Sequence, residues 1–315
     1  MVDAQVIARP QFKDETAAFL ARIGTQEHPI DHDTLIADRA SAPDPHLAGV
    51  PEPVTVCTDV LLPLRGRPIR VRLYRAATEL PRPLLLWLHG GAFAGGTLDD
   101  IDVTCAGLAR RSGFTVVSLD YRLAPENPFP AALHDTYDTM AWLSENCGAF
   151  GGDGRIAAGG QSSGGNLVAA ACLMARDQGR SLVTNQVVCY PWLDLGFDSE
   201  SHRLFDSPVS RADDEWFASQ YLAGQPVTPY AAPLAAQDLA GLPPALVLGA
   251  GLDSLRDDAR RYASRLREAG VAASYLEYES SPHAFLNFPG ALSVAWIAMD
   301  DIAGYLTGSL ADNRG

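Results

Sequence analysis

Several things are scarce in this chain of 315 residues, and each scarcity excludes something. Lysine occurs once, at Lys13, so arginine supplies nearly all of the 24 basic residues. Against 38 acidic residues this leaves a formal net charge of −14. Nucleic acid and anionic membrane surfaces are both held by a cationic face, so neither is expected as a partner. No apolar run approaches the roughly 20 residues needed to span a bilayer, and the N-terminal stretch has no segment of signal-peptide length. The expectation is a soluble, cytoplasmic protein. The five cysteines (Cys57, Cys105, Cys147, Cys172 and Cys189) include no C-x-x-C pair, and nothing supports a zinc site. Their apolar neighbours suggest small buried core residues. Internal repeats and low-complexity tracts are absent.

What is present is an ordinary globular composition, 47% apolar and 20% charged, with ample length for a core and a lid-like insertion. Residues 11–23 place Phe12, Phe19, Leu20 and Ile23 on one side of an amphipathic helix. A Pro-rich linker follows (Pro43, Pro45, Pro51, Pro53). Residues 54–62 and 68–75 read as a hairpin around Arg65-Gly66-Arg67. Short apolar runs then alternate with helical patterns. Residues 84–88, 115–119, 155–159, 186–190 and 245–249 read as buried strands, and 131–146, 165–177 and 254–269 as helices. This alternation predicts an α/β fold, a mostly parallel sheet with helices on both faces. Nearly 50 residues between Asp194 and Pro243 exceed what a crossover needs. Segment 195–240 is therefore expected as an inserted cap, joined by an N-terminal cap segment at 1–50, over a catalytic domain of 51–194 and 241–315.

Gly160-Gln161-Ser162-Ser163-Gly164 fits G-x-S-x-G where a strand turns into a helix. A nucleophile elbow needs small residues two before and two after its serine, and it sets that serine at a helix N-terminus. Ser163 is the rival nucleophile, but Gln161 two before it spoils the motif. A phosphate-binding turn would want a lysine that is missing. His89-Gly90-Gly91-Ala92 follows an earlier strand, where small residues let substrate approach backbone N–H donors, the second half of an oxyanion hole whose first half is the N–H of Ser163. His89 is expected to order this loop through hydrogen bonds, not to bind a metal. For this topology an acid and a base must follow the serine in that order. His202 lies among Ser199, Glu200 and Arg203, a solvated context, whereas His283 follows a strand at Ser274 to Tyr278. Asp253 follows the strand at 245–249; Asp257 and Asp258 fall inside the next helix and are expected to face solvent or cap it. Asp194 stays as the rival acid.

With these residues in place, the chain from about residue 54 onward resembles the hormone-sensitive-lipase-like branch (family IV) of bacterial esterases, with the α/β-hydrolase fold. The resemblance rests on His89 to Phe93, Asp120-Tyr121-Arg122-Leu123-Ala124-Pro125-Glu126, Gly160 to Asn166, Tyr190-Pro191 and Asp253 to Asp257, in matching order and spacing. It implies Ser162 as nucleophile, Asp253 as acid and His283 as base. It also implies Gly91, Ala92 and Ser163 as oxyanion donors, with Gly90 shaping the turn, and a homodimer as a plausible assembly. Ala92 stands where the family usually has a third glycine, and Gln161 and Ser163 flank the serine where Asp or Thr and Ala are usual. The Tyr121 to Glu126 motif is expected to do structural work. The expected reaction is hydrolysis of short-chain acyl esters, small molecules, without metal or other cofactor. Phe93, Tyr190 and Phe285 are candidates for the substrate pocket. An amidase or deacetylase with the same three residues, and a non-enzymatic receptor on the same scaffold, are the alternatives.

Overall fold

The computed structural model describes residues 5–7, 10–24, 30–64, 66–205 and 210–312. The first part of the chain forms β1 (Gln5–Ile7), α1 (Pro10–Ile23), α2 (His32–Ala40) and α3 (Pro45–Ala48). Strands β2 (Val56–Leu62) and β3 (Ile69–Arg75) form the expected hairpin, with Leu62 opposite Ile69. Then follow β4 (Arg82–Leu88), α4 (Asp102–Ser112), β5 (Thr115–Leu119), α5 (Ala131–Asn146), β6 (Gly152–Gln161), α6 (Ser163–Asp177) and β7 (Asn185–Cys189). Two helices, α7 (Glu200–Leu204) and α8 (Arg211–Leu222), occupy the long connection. The chain ends with β8 (Ala245–Leu252), α9 (Arg256–Glu268), β9 (Ala273–Pro282) and α10 (Val294–Asp312).

The nine strands of the described residues lie in the order β1-β9-β8-β7-β6-β4-β5-β3-β2. Pairing is parallel throughout except where β3 meets β2 and β5. Central strands buried on both faces explain the unbroken apolar runs, such as Leu84 to Leu88, all fully buried. One core, with Leu143 of α5, Leu173 of α6 and Leu266 of α9, covers one face. The other face packs Phe12 and Phe19 of α1, Leu108 of α4 and Ile302 of α10.

Helix α4 escaped the sequence pattern for a physical reason. Helices α4 and α10 pack on each other as well as on the sheet, so α4 buries Val103 through Ala109 without a break. A helix covered on nearly every side has no polar face to mark its period. Three polar expectations are corrected as well. His202 is buried, because Ser201 of the same helix docks on α9, donating to Asp257 (2.9 Å) and to the Ser254 carbonyl (2.6 Å). Asp258 is fully buried, accepting from the N–H groups of Leu193 and Asp194. Of the cysteines, Cys57 is exposed on the edge strand β2 and Cys147 is half-buried. The other three lie in the core.

Helix α1 also reaches the far end of the chain. Thr16 donates to the Ser280 carbonyl (2.6 Å), and Glu15 accepts from both the N–H (2.7 Å) and the hydroxyl (2.8 Å) of Ser293. No helix among the described residues is long and apolar enough to cross a membrane.

Candidate active site

The sharp turn from β6 into α6 fixes Ser162 in a backbone conformation that side chains seldom adopt, φ +53° and ψ −119°. Its N–H donates to the Cys189 carbonyl (2.9 Å), and its carbonyl accepts from Asn166 (3.1 Å) and Trp192 (3.2 Å). The two motif glycines follow from crowding: a Cβ on Gly160 would run into the Gly164 backbone, and one on Gly164 into the carbonyls of Leu88 and His89. Gly90 borders the same turn, a Cβ there lying 3.2 Å from that of Ser162.

His283 stands just beyond β9 with its Nε2 3.0 Å from Ser162 Oγ. Its Nδ1 lies 2.8 Å from Asp253 Oδ2. Asp253, just beyond β8, is fully buried, and its other oxygen accepts from the Leu255 N–H (2.9 Å). Burial works against a charged imidazole at His283, but the Asp253 charge and hydrogen bond outweigh it, so its pKa lies above the ordinary 6.5. The other acids do different work. Asp194 pairs with Arg261 at 2.8 Å, and Asp257 with Arg256 at 3.3 Å. His202 Nδ1 sits 2.7 Å from Ser199 Oγ at the start of α7.

The loop after β4 carries three successive positive φ angles, at Gly91 (+117°), Ala92 (+51°) and Phe93 (+62°). A left-handed non-glycine residue costs roughly 1–2 kcal/mol, so the surroundings must hold it. Phe93 is clamped by Tyr221 of α8, with stacked rings 3.7 Å apart. Burial pushes the His89 pKa below its ordinary value; its Nδ1 lies 2.6 Å from the Gly90 carbonyl, and Tyr121 donates to the His89 carbonyl at 3.0 Å. His89 thus orders the loop, and Tyr121 supports it. The N–H groups of Gly91, Ala92 and Ser163 find no acceptor among the described residues. Further along the Tyr121 motif, Arg122 pairs with Asp135 (2.8 Å) and Glu126 with Arg39 of α2 (2.8 Å). Arg39 also donates to the carbonyls of Ala94 (2.6 Å) and Ala124.

A cavity of about 360 Å³ opens above Ser162 and His283. Gly90, Gly91, Ala92, Gln161 and Tyr190 line it from the sheet side, Ile30, Asp38, Asp214 and Phe217 from the opposite side, with Trp192 and Leu255 between. Ile30 donates to Asp213 of α8 (3.0 Å), tying the N-terminal segment to the insertion. Of the pocket candidates only Tyr190 reaches this wall. Phe93 is fully buried against Tyr221 and Trp192, and Phe285 against Tyr190 and Tyr278, so both are core residues. Trp192, Phe217 and Leu255 were not foreseen; an apolar residue in a connection looks the same in sequence whether it faces a core or a cavity. No group of three or more His, Cys, Asp or Glu is placed to hold a metal among the described residues.

Residues 85–287 match the sequence profile of the α/β-hydrolase fold. The chain belongs to the α/β-hydrolase family, in its hormone-sensitive-lipase-like branch. Among this hydrolase's relatives is the carboxylic ester hydrolase LipN of Mycobacterium tuberculosis, 40% identical over 241 residues. That match covers 73% of the hydrolase and 64% of LipN, less than two thirds of its length. An arylesterase of Saccharolobus solfataricus is 34% identical over 76% of the hydrolase and 79% of its own length. A solved ester-hydrolase from the metagenome of Lake Arreo, bound to a bipyridine phosphonate derivative, superposes with a TM-score of 0.86 at 32% identity. It covers 97% of the hydrolase and 100% of its own chain. The esterase of the archaeon Pyrobaculum calidifontis gives 0.79 at 36% identity, covering 95% and 92%.

Proposed function

We propose that this hydrolase cleaves short-chain carboxylic esters of small molecules through an acyl-enzyme on Ser162. The observation that carries the proposal is the continuous hydrogen-bonded line Ser162–His283–Asp253 beneath a cavity of about 360 Å³. His283 takes the Ser162 proton as Oγ attacks the ester carbonyl. Asp253 holds the imidazole in the tautomer with its proton on Nδ1 and stabilises the imidazolium that forms. The N–H groups of Gly91, Ala92 and Ser163 receive the oxyanion; one such donor is worth about 2.7–4 kcal/mol in comparable sites. As the tetrahedral intermediate collapses, His283 Nε2–H protonates the leaving alcohol. Water then repeats the sequence on the acyl-enzyme, giving its proton to His283, and the acid leaves as Ser162 regains the proton. Every step is served by groups of the chain itself.

The short-chain preference follows from space. Ligand cavities run from about 300 to 1,000 Å³, and this one lies at the small end with Trp192, Phe217 and Leu255 in its walls. We assign the segments contributing Ile30 and Phe217 as the cap, and infer an enzyme working in the cytoplasm. The test is a series of 4-nitrophenyl esters from two to twelve carbons, for wild type and Ser162→Ala. Rates should peak at short chains and fall about 10⁴-fold or more in the variant. A folded wild type no faster than Ser162→Ala on every ester would remove this reading. A matched amide cleaved as fast as its ester would favour the amidase alternative.

A further inference from the structure

Asp253 holds His283 through a single contact at Nδ1. One contact fixes a point on an imidazole but leaves its plane free to turn, and the line to Ser162 depends on that plane. The flank of the ring is met by Tyr190, edge to face, with centroids 5.2 Å apart. Tyr190 in turn leans on Phe285 (5.3 Å), which leans on Tyr278 (5.1 Å). Tyr190 follows β7 at φ +37°, with its N–H held by the Leu248 carbonyl (2.6 Å).

The phenol of Tyr190 is fully buried and donates to Oε1 of Gln161, itself only 1% exposed. Burying a hydroxyl and an amide is costly unless they satisfy each other, so this bond locks the phenol. Gln161 Nε2 has no partner among the described residues, so the phenol is also what orients the amide. Gln161 is the last residue of β6 and the immediate neighbour of Ser162. The nucleophile is thereby tied to its base by a second route: Ser162 by one peptide bond to Gln161, its amide to Tyr190, and the ring edge to His283.

Building on the esterase reading, we propose that Gln161 and Tyr190 are positioning residues for His283, setting the plane of the imidazole while Asp253 sets its tautomer. Neither exchanges a proton with substrate. Their contribution lies in kcat, because a tilted imidazole still admits substrate but accepts the Ser162 proton poorly.

The experiment compares wild type, Tyr190→Phe, Gln161→Met, the double variant and Gln161→Glu. It measures kcat and KM on 4-nitrophenyl acetate, the rate at which a fluorophosphonate inactivates Ser162, and the thermal midpoint. Each of the first two should lower kcat and the inactivation rate about ten-fold, the scale of one buried hydrogen bond, with KM within about two-fold. The double should be no worse than the worse single, because both remove the same bond. Gln161→Glu keeps an acceptor for the phenol and should stay within about three-fold of wild type. Wild-type kcat in Tyr190→Phe, multiplied losses in the double, or a loss carried by KM would each overturn the proposal. Tyr190→Phe removes one oxygen and keeps the ring, so it decides the matter if Gln161→Met fails to fold. A wild type that is labelled by the phosphonate but hydrolyses no ester would end the esterase reading, while the inactivation rates still judge the positioning. A wild type neither hydrolysing nor labelled would overturn both.

Discussion

The two sides of the cavity are held by different means. On the sheet side the backbone itself is packed to contact. Gly160 and Gly164 are crowded by neighbouring main chain, Gly90 abuts the elbow, and Ser162 sits at a conformation its surroundings impose. On the opposite side, which we assign as the cap, the contacts are made by side chains. Ile30 meets Asp213 through one hydrogen bond, Phe93 meets Tyr221 by stacking, and Arg39 reaches the loop after β4 from α2. Backbone packed to contact tolerates little displacement, whereas side-chain contacts can be exchanged. The sheet side should therefore govern the rate of the chemical step, and the cap side the choice of substrate.

Four perturbations sharpen or break that contrast. The largest effect is expected from Asp253→Asn, about 10⁴-fold in kcat on 4-nitrophenyl acetate, since an amide favours the wrong tautomer of the base. The pH profile belongs to the same test. The base must be neutral to take a proton, so kcat/KM is lost as pH falls through the His283 pKa. Its acid limb should lie above 6.5 in wild type and move down when the Asp253 charge is removed. Next comes Gly164→Ala, whose methyl meets the Leu88 and His89 carbonyls. We expect a loss of about 10²-fold in kcat from a displaced elbow, with destabilisation of about 1–3 kcal/mol in urea unfolding.

Phe217→Ala, on the cap side, should leave kcat on the acetyl ester within about three-fold while raising kcat/KM for longer acyl chains by about ten-fold, the range of one or two methylenes in a pocket. If it slowed the acetyl ester as much as Gly164→Ala, the contrast would fail. The smallest effect on rate is expected from Asp258→Asn, which does not line the cavity. Burial pushes the Asp258 carboxyl up to about 8, against the pull of the Leu193 and Asp194 N–H groups. The folded state therefore keeps a proton that the unfolded chain gives up near 3.8, and wild-type stability should fall as pH rises from about 4 to 8. The amide still accepts both N–H bonds and does not titrate. Its stability should be flatter over that window, by up to about 1.4 kcal/mol per pH unit, in unfolding curves measured at several pH values.

The sheet side was also the legible side. Glycines forced by close backbone approach leave a fixed spacing, as at Gly160 and Gly164, and strands buried on both faces leave apolar runs. The order Ser162, Asp253, His283 followed from where the strands end. What the sequence did not disclose was whatever depends on partners distant in the chain. His202 has polar neighbours along the chain, yet α9 covers it. Asp258 sits in a charged helix and serves the loop after β7. Phe93 and Phe285, beside motif residues, turn into the core, while Trp192 and Phe217 face the cavity. Gln161 was noticeable only as an unusual neighbour of the serine; its tie to Tyr190 spans two strands.

The bond from Thr16 to Ser280 and the bonds from Glu15 to Ser293 pin α1 to points just before and just after the loop that carries His283. Helix α1 is thus a staple across the loop that carries His283. An engineer who trims these residues, or hangs a bulky fusion on them, would be working on the imidazole at a distance. A slow or irreproducible preparation would then point first to the state of α1.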